Sequence, residues 1–261
     1  MRKFKLIATD FDGTLLNDKK NVSLENINSL KKGRNLNFFL VGVTARTSGS
    51  VFSVVEKELF DYFILNNGTH LYDVKNKELT PLFLIPEDYY KKIFYDMKDV
   101  CSEIDFCSGT VYYIYGNDKV EKPFIVNIDN INNLNDVGRM NLFLLEQDKI
   151  DYYCNLINER YKEIDCFVMQ ESNNDYKWLV LLPKGVSKFS SLVRLSEILN
   201  ISKEEIVAFG DGPNDVEVIS NVGCGVAMGN AVDVLKSVTK NITKNNNENG
   251  VSYFLENKIF K

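Results

Sequence analysis

The sequence predicts an α/β fold: a Rossmann-like parallel-sheet core with helices on both faces, interrupted by an inserted α+β domain. Three observations carry that expectation. Short apolar runs alternate with amphipathic stretches near the start of the chain and again near its end, as strands and helices do in a parallel sheet. Residues 82–183 between them change character, toward aromatic runs spaced like the strands of hairpins. Carboxylates also follow directly on apolar runs, at the strand ends where open parallel sheets assemble their sites.

Taken in order, residues 4–10 (FKLIATD) read as the first strand. Ser23 can cap a helix whose Leu24, Ile27 and Leu30 share a face, with Gly33 as its stop. Residues 37–44 form a second strand, 50–59 a helix and 62–67 a third strand ending before Gly68. This βαβαβ unit should be right-handed. From residue 70 the pattern turns toward hairpins. Residues 82–183 then hold a long helix from Pro86, strands at 110–116, 123–128 and 141–146, a helix after Asp148, and strands at 164–169 and 177–183. The alternation returns with a helix at 186–199, a strand at 205–211, a helix at 214–220, a strand at 224–229 and two further helical stretches. Residues 245–249 (NNNEN) are a short polar turn. The expected division is therefore 1–81 and 184–261 as two segments of one core, with 82–183 inserted.

Bulk properties narrow the function. A chain of 261 residues that is 44% hydrophobic has ample material for a core. A net charge of -5 with scattered basic residues offers no footprint for nucleic acid or an anionic membrane, yet leaves room for a small anionic substrate. The opening MRKFKLIATDFDG is interrupted by Asp10 too early for a secretory apolar region, and no run is long enough to span a membrane. Cys101, Cys107, Cys154, Cys166 and Cys224 are odd in number and widely spaced, and His70 is the lone histidine. A zinc or disulfide framework is not expected; reduced thiols in a cytoplasmic protein, monomeric or weakly homo-oligomeric, are.

Four signals fall at strand ends or helix starts: Asp10 and Asp12, then Thr44, then Lys188, then Asp211 with Asn214 and Asp215. Each alone has an ordinary explanation, such as an Asx turn, a strand end, a solvated lysine or a helix cap. Their occurrence together in one order favours one shared site. Two carboxylates about 4 Å apart repel by about 4 kcal/mol at an effective dielectric near 20, a heavy load on a fold with about 5–15 kcal/mol of net stability. A cation or a proton must relieve a cluster of Asp10, Asp12 and Asp211, and the hard oxygen ligands suit Mg²⁺ shared with a substrate phosphate. Asp10, nearer the rigid strand, is the candidate nucleophile on phosphorus, and Asp12 the candidate acid and base. Gly13 permits a close turn around a phosphate, to which Thr44 can donate and whose charge Lys188 can neutralise.

The segments DFDGTL, VTAR, KGVSK and FGDGPND, followed by GVAMGNA and NNNENGV, resemble the four motifs and C-terminal signature of the haloacid dehalogenase-like phosphatases. Within them the chain is similar to the Cof-type group, which carries a large α/β cap between the second and third motifs. The resemblance implies that Asp10 is nucleophile and metal ligand, and that Asp12 is the acid/base and binds Mg²⁺ through its backbone carbonyl. It implies Asp211 as a further ligand, with Asp215 supporting it from the outer shell. Phosphate would be held by Phe11, Thr44, Ala45, Lys188 and Asn214. Arg46 is a candidate substrate contact. Ala45 stands where the family often has glycine, and Phe189 replaces a commonly small residue. The implied substrates are sugar phosphates or other small phosphorylated metabolites, selected by the cap. Tyr112, Tyr113, Tyr115 and Trp178 could stack on a ring, although alternating aromatics on strands usually serve packing. His70 reads as a turn or interface residue. A phosphotransferase such as a sugar phosphomutase and a non-catalytic phosphate-binding regulator are the alternative functions.

Overall fold

The computed structural model describes residues 3–116, 121–170 and 176–261. Its first strand, β1 (Leu6–Thr9), is buried along its length at the middle of an eight-stranded sheet. Helix α1 (Leu24–Asn35) follows, and the Ser23 hydroxyl caps it by accepting the Asn26 amide. Gly33 does not stop this helix. It lies within α1, where a Cβ would come to 3.2 Å from Ile7 and 3.3 Å from Phe260, and the chain turns instead at Asn37, whose φ is +58°. The buried stripe is Asn26, Ser29, Leu30 and Gly33, while Leu24 points to solvent. Close approach to β1 and the C-terminal segment thus overrides the apolar spacing.

Strand β2 (Phe39–Val43) matches its expected place, but the helix expected over 50–59 shrinks to α2 (Ser48–Val51). The Ser53 hydroxyl donates to the Ser50 carbonyl at 2.7 Å, competing with helix continuation, and β-branched Val54 and Val55 follow. Strand β3 (Tyr62–Leu65) completes the right half of the parallel sheet, and β4 (His70–Asp73) and β5 (Glu78–Pro81) extend it as an antiparallel hairpin.

The insertion begins with α3 (Glu87–Met97), for which Pro86 is the cap residue. Its strands are β6 (Cys101–Cys107), β7 (Tyr112–Tyr115), β8 (Ile125–Asn127) and β9 (Arg139–Leu144). Helix α4 (Ile150–Arg160) then precedes β10 (Ile164–Gln170) and β11 (Lys177–Pro183). They form a second sheet in the order β10-β11-β9-β6-β7-β8, antiparallel except for the β7–β8 pair. Strand β6 is absent from the sequence expectation because Glu103 and Asp105 interrupt it, although Ile104 and Phe106 keep the two-residue period. Those two residues, with Met140, Leu142, Leu179 and Leu181, face α3 and α4 and form an apolar core of their own. The opposite face of this sheet is turned to the first.

After the insertion come α5 (Lys188–Ile198), β12 (Ile206–Gly210), α6 (Val216–Asn221) and β13 (Cys224–Ala227). Between α7 (Asp233–Ser237) and α8 (Gly250–Phe254) lies β14 (Asn241–Ile242), a short edge strand where only helices were expected. The large sheet runs β14-β13-β12-β1-β2-β3-β4-β5. Chain order reverses between β1 and β12, which pair in parallel from Leu6 with Ile206 to Thr9 with Phe209. The crevice beyond their carboxyl ends is where such a sheet places a ligand.

Candidate active site

Asp10 directly follows β1, and its amide donates to the Phe209 carbonyl at 3.0 Å, fixing the strand end against β12. Asp211 directly follows β12. Lys188 is the first residue of α5, with Ser187 and Ser190 closing a capping box around it. Its ammonium is buried and donates to Asp10 Oδ1 at 2.8 Å and Asp215 Oδ1 at 2.7 Å. Asp215 Oδ2 in turn accepts the backbone amides of Asp211 and Gly212, both at 3.1 Å. Asp211 Oδ1 accepts the Thr14 hydroxyl at 2.8 Å.

Asp10, Asp211 and Asp215 each offer an oxygen within 4.8 Å of the others. Burial, and then the other two carboxylates, push Asp10 well above the ordinary carboxylate range against the pull of Lys188. Burial followed by Asp215 raises Asp211 to about 6. Burial disfavours the charged Lys188, but attraction to Asp10 and Asp215 wins and raises it. Carboxylates held this close, with no sulfur or imidazole among them, suit a hard divalent cation such as Mg²⁺.

Gly13 makes the cluster possible. Its φ is +73°, and a Cβ there would stand 2.2 Å from Asp211 Oδ2. The carboxylate occupies space that only glycine leaves open. Asn230 braces the same turn by donating to the Gly13 carbonyl at 2.8 Å.

Asp12 lies outside the carboxylate cluster. Arg46 grips it through Nε and Nη2 at 2.6 and 2.7 Å, and Lys20 adds a bond of 2.7 Å. Burial alone would raise this carboxyl, but the Arg46 and Lys20 donors outweigh it and hold it at about 2. Arg46 therefore meets a carboxylate of the chain itself here. Thr44, at the end of β2, is buried, and its hydroxyl accepts the Arg46 amide at 3.1 Å. Ala45 takes no positive φ, so the glycine common at this position in the family is not needed for backbone conformation. Phe189 packs against the apolar core below the large sheet. Phe11 does so fully buried, its ring stacked 5.8 Å from Phe63 and pressed against Gly42. Asn214 donates to Asn67 Oδ1 at 2.9 Å.

Thr14, Lys20, Asn67 and Asn230 contact these residues and were not singled out from sequence. Thr14 and Asn230 lie inside motif segments, whereas Asn67 and Lys20 have left-handed backbones, at φ +57° and +60°, that only a folded turn reveals.

The inserted sheet closes over this crevice. Ser48 and Gly49 at the start of α2 donate backbone amides to the carbonyls of Gly109 and Thr110 at 2.9 and 3.1 Å, and Arg139 Nη1 donates to the Ala45 carbonyl at 2.6 Å. His70 lies in the same junction, close against Gly109 and Gly138, and burial lowers its imidazole to about 4. A cavity of about 280 Å³ remains between the sheets, lined by Lys188, Asn67 and Asn214 below and by Phe167, Val180 and Leu182 above. Of the four aromatics singled out from sequence, Tyr113 and Tyr115 pack into the insertion's own core. Tyr112 lies under the Arg139 guanidinium and Trp178 stacks on Phe143.

A family model described as haloacid dehalogenase-like hydrolase matches residues 7–255. Among curated proteins, the 5-amino-6-(5-phospho-D-ribitylamino)uracil phosphatase YcsE of Bacillus subtilis is 29% identical over 250 residues, covering 95% of this chain and 93% of that one. The HMP-PP phosphatase of Klebsiella pneumoniae is 26% identical over 255 residues, covering 89% and 87%. Among solved structures, a haloacid dehalogenase-like hydrolase from Bacteroides thetaiotaomicron superposes with a TM-score of 0.82 at 26% identity, covering 97% of this chain and 99% of that one.

Proposed function

The chain belongs to the haloacid dehalogenase-like hydrolases, and from that premise we propose that it is a Mg²⁺-dependent phosphatase releasing phosphate from small phosphorylated metabolites through an aspartyl-phosphate on Asp10. The observation that carries this reading is the buried Lys188 ammonium held between Asp10 and Asp215, with Asp211 within 4.8 Å. A nucleophilic carboxylate is thereby fixed beside a cation that can balance phosphoryl charge.

Asp10, Asp211 and the backbone carbonyl of Asp12 would hold the Mg²⁺, which when bound would neutralise negative charge on the phosphoryl oxygens. Asp215, with both oxygens occupied by Lys188 and by backbone amides, positions those partners from behind. Thr44, the backbone around Phe11, Gly13 and Ala45, and Asn214 would donate to the phosphate.

In the first step an Asp10 oxygen attacks phosphorus and the bond from phosphorus to the leaving oxygen breaks. Asp12 supplies the proton to that oxygen. In the second step water attacks phosphorus, Asp12 takes the water proton, and the Asp10–phosphorus bond breaks. Arg46 and Lys20 keep Asp12 ionised, so the acid step calls for both to leave Asp12 as substrate enters. An Arg46 so released can meet the substrate.

Residues 82–183 act as the cap that selects the organic part of the substrate, set between core segments 1–81 and 184–261. Five free cysteines support a reducing, cytoplasmic setting, and no described helix is long and apolar enough to cross a membrane. The test is a screen of phosphorylated metabolites with Mg²⁺, with EDTA, and with an added acceptor sugar phosphate. Phosphate release that EDTA abolishes reversibly supports the reading. Transfer to the acceptor in place of release would identify a mutase, and no Mg²⁺-dependent turnover of any kind would leave only a binding protein.

A further inference from the structure

Residues 44–46, which follow β2, have all three backbone carbonyls engaged. Asn67 donates its amide to the Thr44 carbonyl and Asn66 its amide to the Arg46 carbonyl, both at 3.0 Å. The carbonyl between them, that of Ala45, accepts Arg139 Nη1 at 2.6 Å. Two of the three anchors thus belong to the core, and the third comes from β9 of the insertion. On the donor side, the Thr44 amide bonds the Ile64 carbonyl and the Arg46 amide bonds Thr44 Oγ1. The Ala45 amide and the Thr44 hydroxyl proton meet no acceptor among the described residues. The loop therefore offers two free donors, and a residue 94 positions away helps to fix its shape.

Arg139 is a costly choice for that anchor. Met140 and Leu142 face the insertion's own helices, so the alternation along β9 turns Arg139 toward the core. Its side chain is buried, and its hydrogen bonds go to the Ala45 carbonyl and the Cys107 sulfur, with the guanidinium over Tyr112. None of these is a carboxylate, and burial pushes the Cys107 thiol up to about 11. Asp105 of the same sheet receives the Asn141 amide instead. A guanidinium taken out of water without a hydrogen-bonded counter-ion is expensive. An apolar side chain of similar length would serve packing alone; what Arg139 adds is a charged donor aimed at one backbone oxygen. The seat around it is close. A Cβ at Gly109 would stand 2.7 Å from His70 Cδ2, and one at Gly138 2.8 Å from His70 Cε1. Lifting the insertion off the core would withdraw Arg139 from the loop.

We propose that Arg139 is a positioning residue: seating of the inserted sheet places its guanidinium on the Ala45 carbonyl, which holds the Ala45 amide and the Thr44 hydroxyl in place for phosphate. The inference rests on the phosphatase reading above and goes beyond it, because it ties closure of the insertion to phosphate binding whatever the organic part of the substrate. Arg139 acts only through the loop.

Arg139→Met keeps the length of the stem and removes the charged donor. In the full-length protein with Mg²⁺, the inhibition constant of inorganic phosphate is expected to rise about 10-fold, as for loss of one hydrogen bond from a charged donor. The value of kcat/KM for two hydrolysed phosphomonoesters with unlike organic parts should fall by one common factor. Mg²⁺ affinity without phosphate, read by titration calorimetry, should stay within about twofold of the parent, because the Arg139 hydrogen bonds reach neither Asp10 nor Asp211. Arg139→Lys, which restores a charged donor, is expected to recover part of the loss. Unchanged phosphate inhibition in Arg139→Met, unequal losses for the two esters, or Mg²⁺ affinity lost in parallel, the mark of a loosened fold, would overturn the proposal. A second measurement needs neither a variant nor turnover: hydrogen exchange in the parent protein with and without inorganic phosphate and Mg²⁺. Peptides covering 44–49 and 107–111 are expected to slow together, and any other pattern would overturn the proposal. Asp10-dependent phosphate release that survives such a result leaves the phosphatase reading standing, whereas absence of that release removes the reading itself.

Discussion

Replacing Lys188 by methionine removes the one ammonium that binds both Asp10 and Asp215 and keeps the volume of its stem. Without metal, three carboxylates with oxygens inside 4.8 Å are then left without that counter-charge. At such separation each pair repels by about 3–4 kcal/mol at an effective dielectric near 20, and removing one partner of a buried ion pair costs about 3–5 kcal/mol in measured cases. Proton uptake by one carboxyl relieves part of the repulsion, so the lower figure is the working expectation. At about 2–4 °C per kcal/mol for a chain of this size, Lys188→Met in EDTA should melt roughly 6–12 °C below the parent protein. Circular dichroism at neutral pH reads the change, because the single tryptophan, Trp178, lies in the other sheet. Added Mg²⁺ should return several degrees by supplying the missing positive charge. A melting temperature within 2 °C of the parent in EDTA would refute the claim that Lys188 balances this cluster.

Other outcomes follow from the same geometry. Gly13→Ala places a Cβ 2.2 Å from Asp211 Oδ2 in a backbone with φ +73°; a loss of about 1–2 kcal/mol from the backbone alone and a weaker Mg²⁺ affinity, read by titration calorimetry, are expected, and parent-like affinity would contradict the placement. Asp105 is raised to about 7 by burial and then by Glu103, against about 3.9 unfolded. The folded state then holds a proton that the unfolded state lacks between about pH 4 and 7, so stability falls as pH rises through that window and levels off above it. Asp105→Asn should remove this slope, gaining up to about 4 kcal/mol relative to the parent by pH 7, as urea unfolding at pH 5 and pH 8 would show. Asp12→Asn should slow both leaving-group protonation and breakdown of the phosphoryl enzyme, resolved as two phases by rapid quench; an unaltered second phase would argue against the dual role.

The carboxylates, Lys188 and the strand ends were legible in the sequence because motif spacing and strand chemistry are local. What escaped it was set by contacts between distant segments. Gly33 reads as a helix stop until Ile7 and Phe260 are packed on it. The stretch after Val51 reads as helix until Ser53 bonds its own backbone. Strand β6 hides its period behind Glu103 and Asp105, whose place on the site-facing side of the sheet explains why polar residues occur there. Arg139 carries no motif at all. It gains meaning only when the inserted sheet closes and its guanidinium meets Ala45. Likewise the Asp12–Arg46 grip joins two segments that each read plausibly as substrate-directed.

The central claim is that Asp10 becomes covalently phosphorylated. The direct measurement is acid quench of the Asp12→Asn protein during turnover with Mg²⁺ and a hydrolysed phosphomonoester, followed by peptide mass mapping. A phosphoryl group on the peptide containing Asp10, absent when Asp10→Asn is added, is the expected result. Continued phosphate release by the single Asp10→Asn variant at parent-like rates, with no phosphoryl group ever found on that peptide, would contradict it.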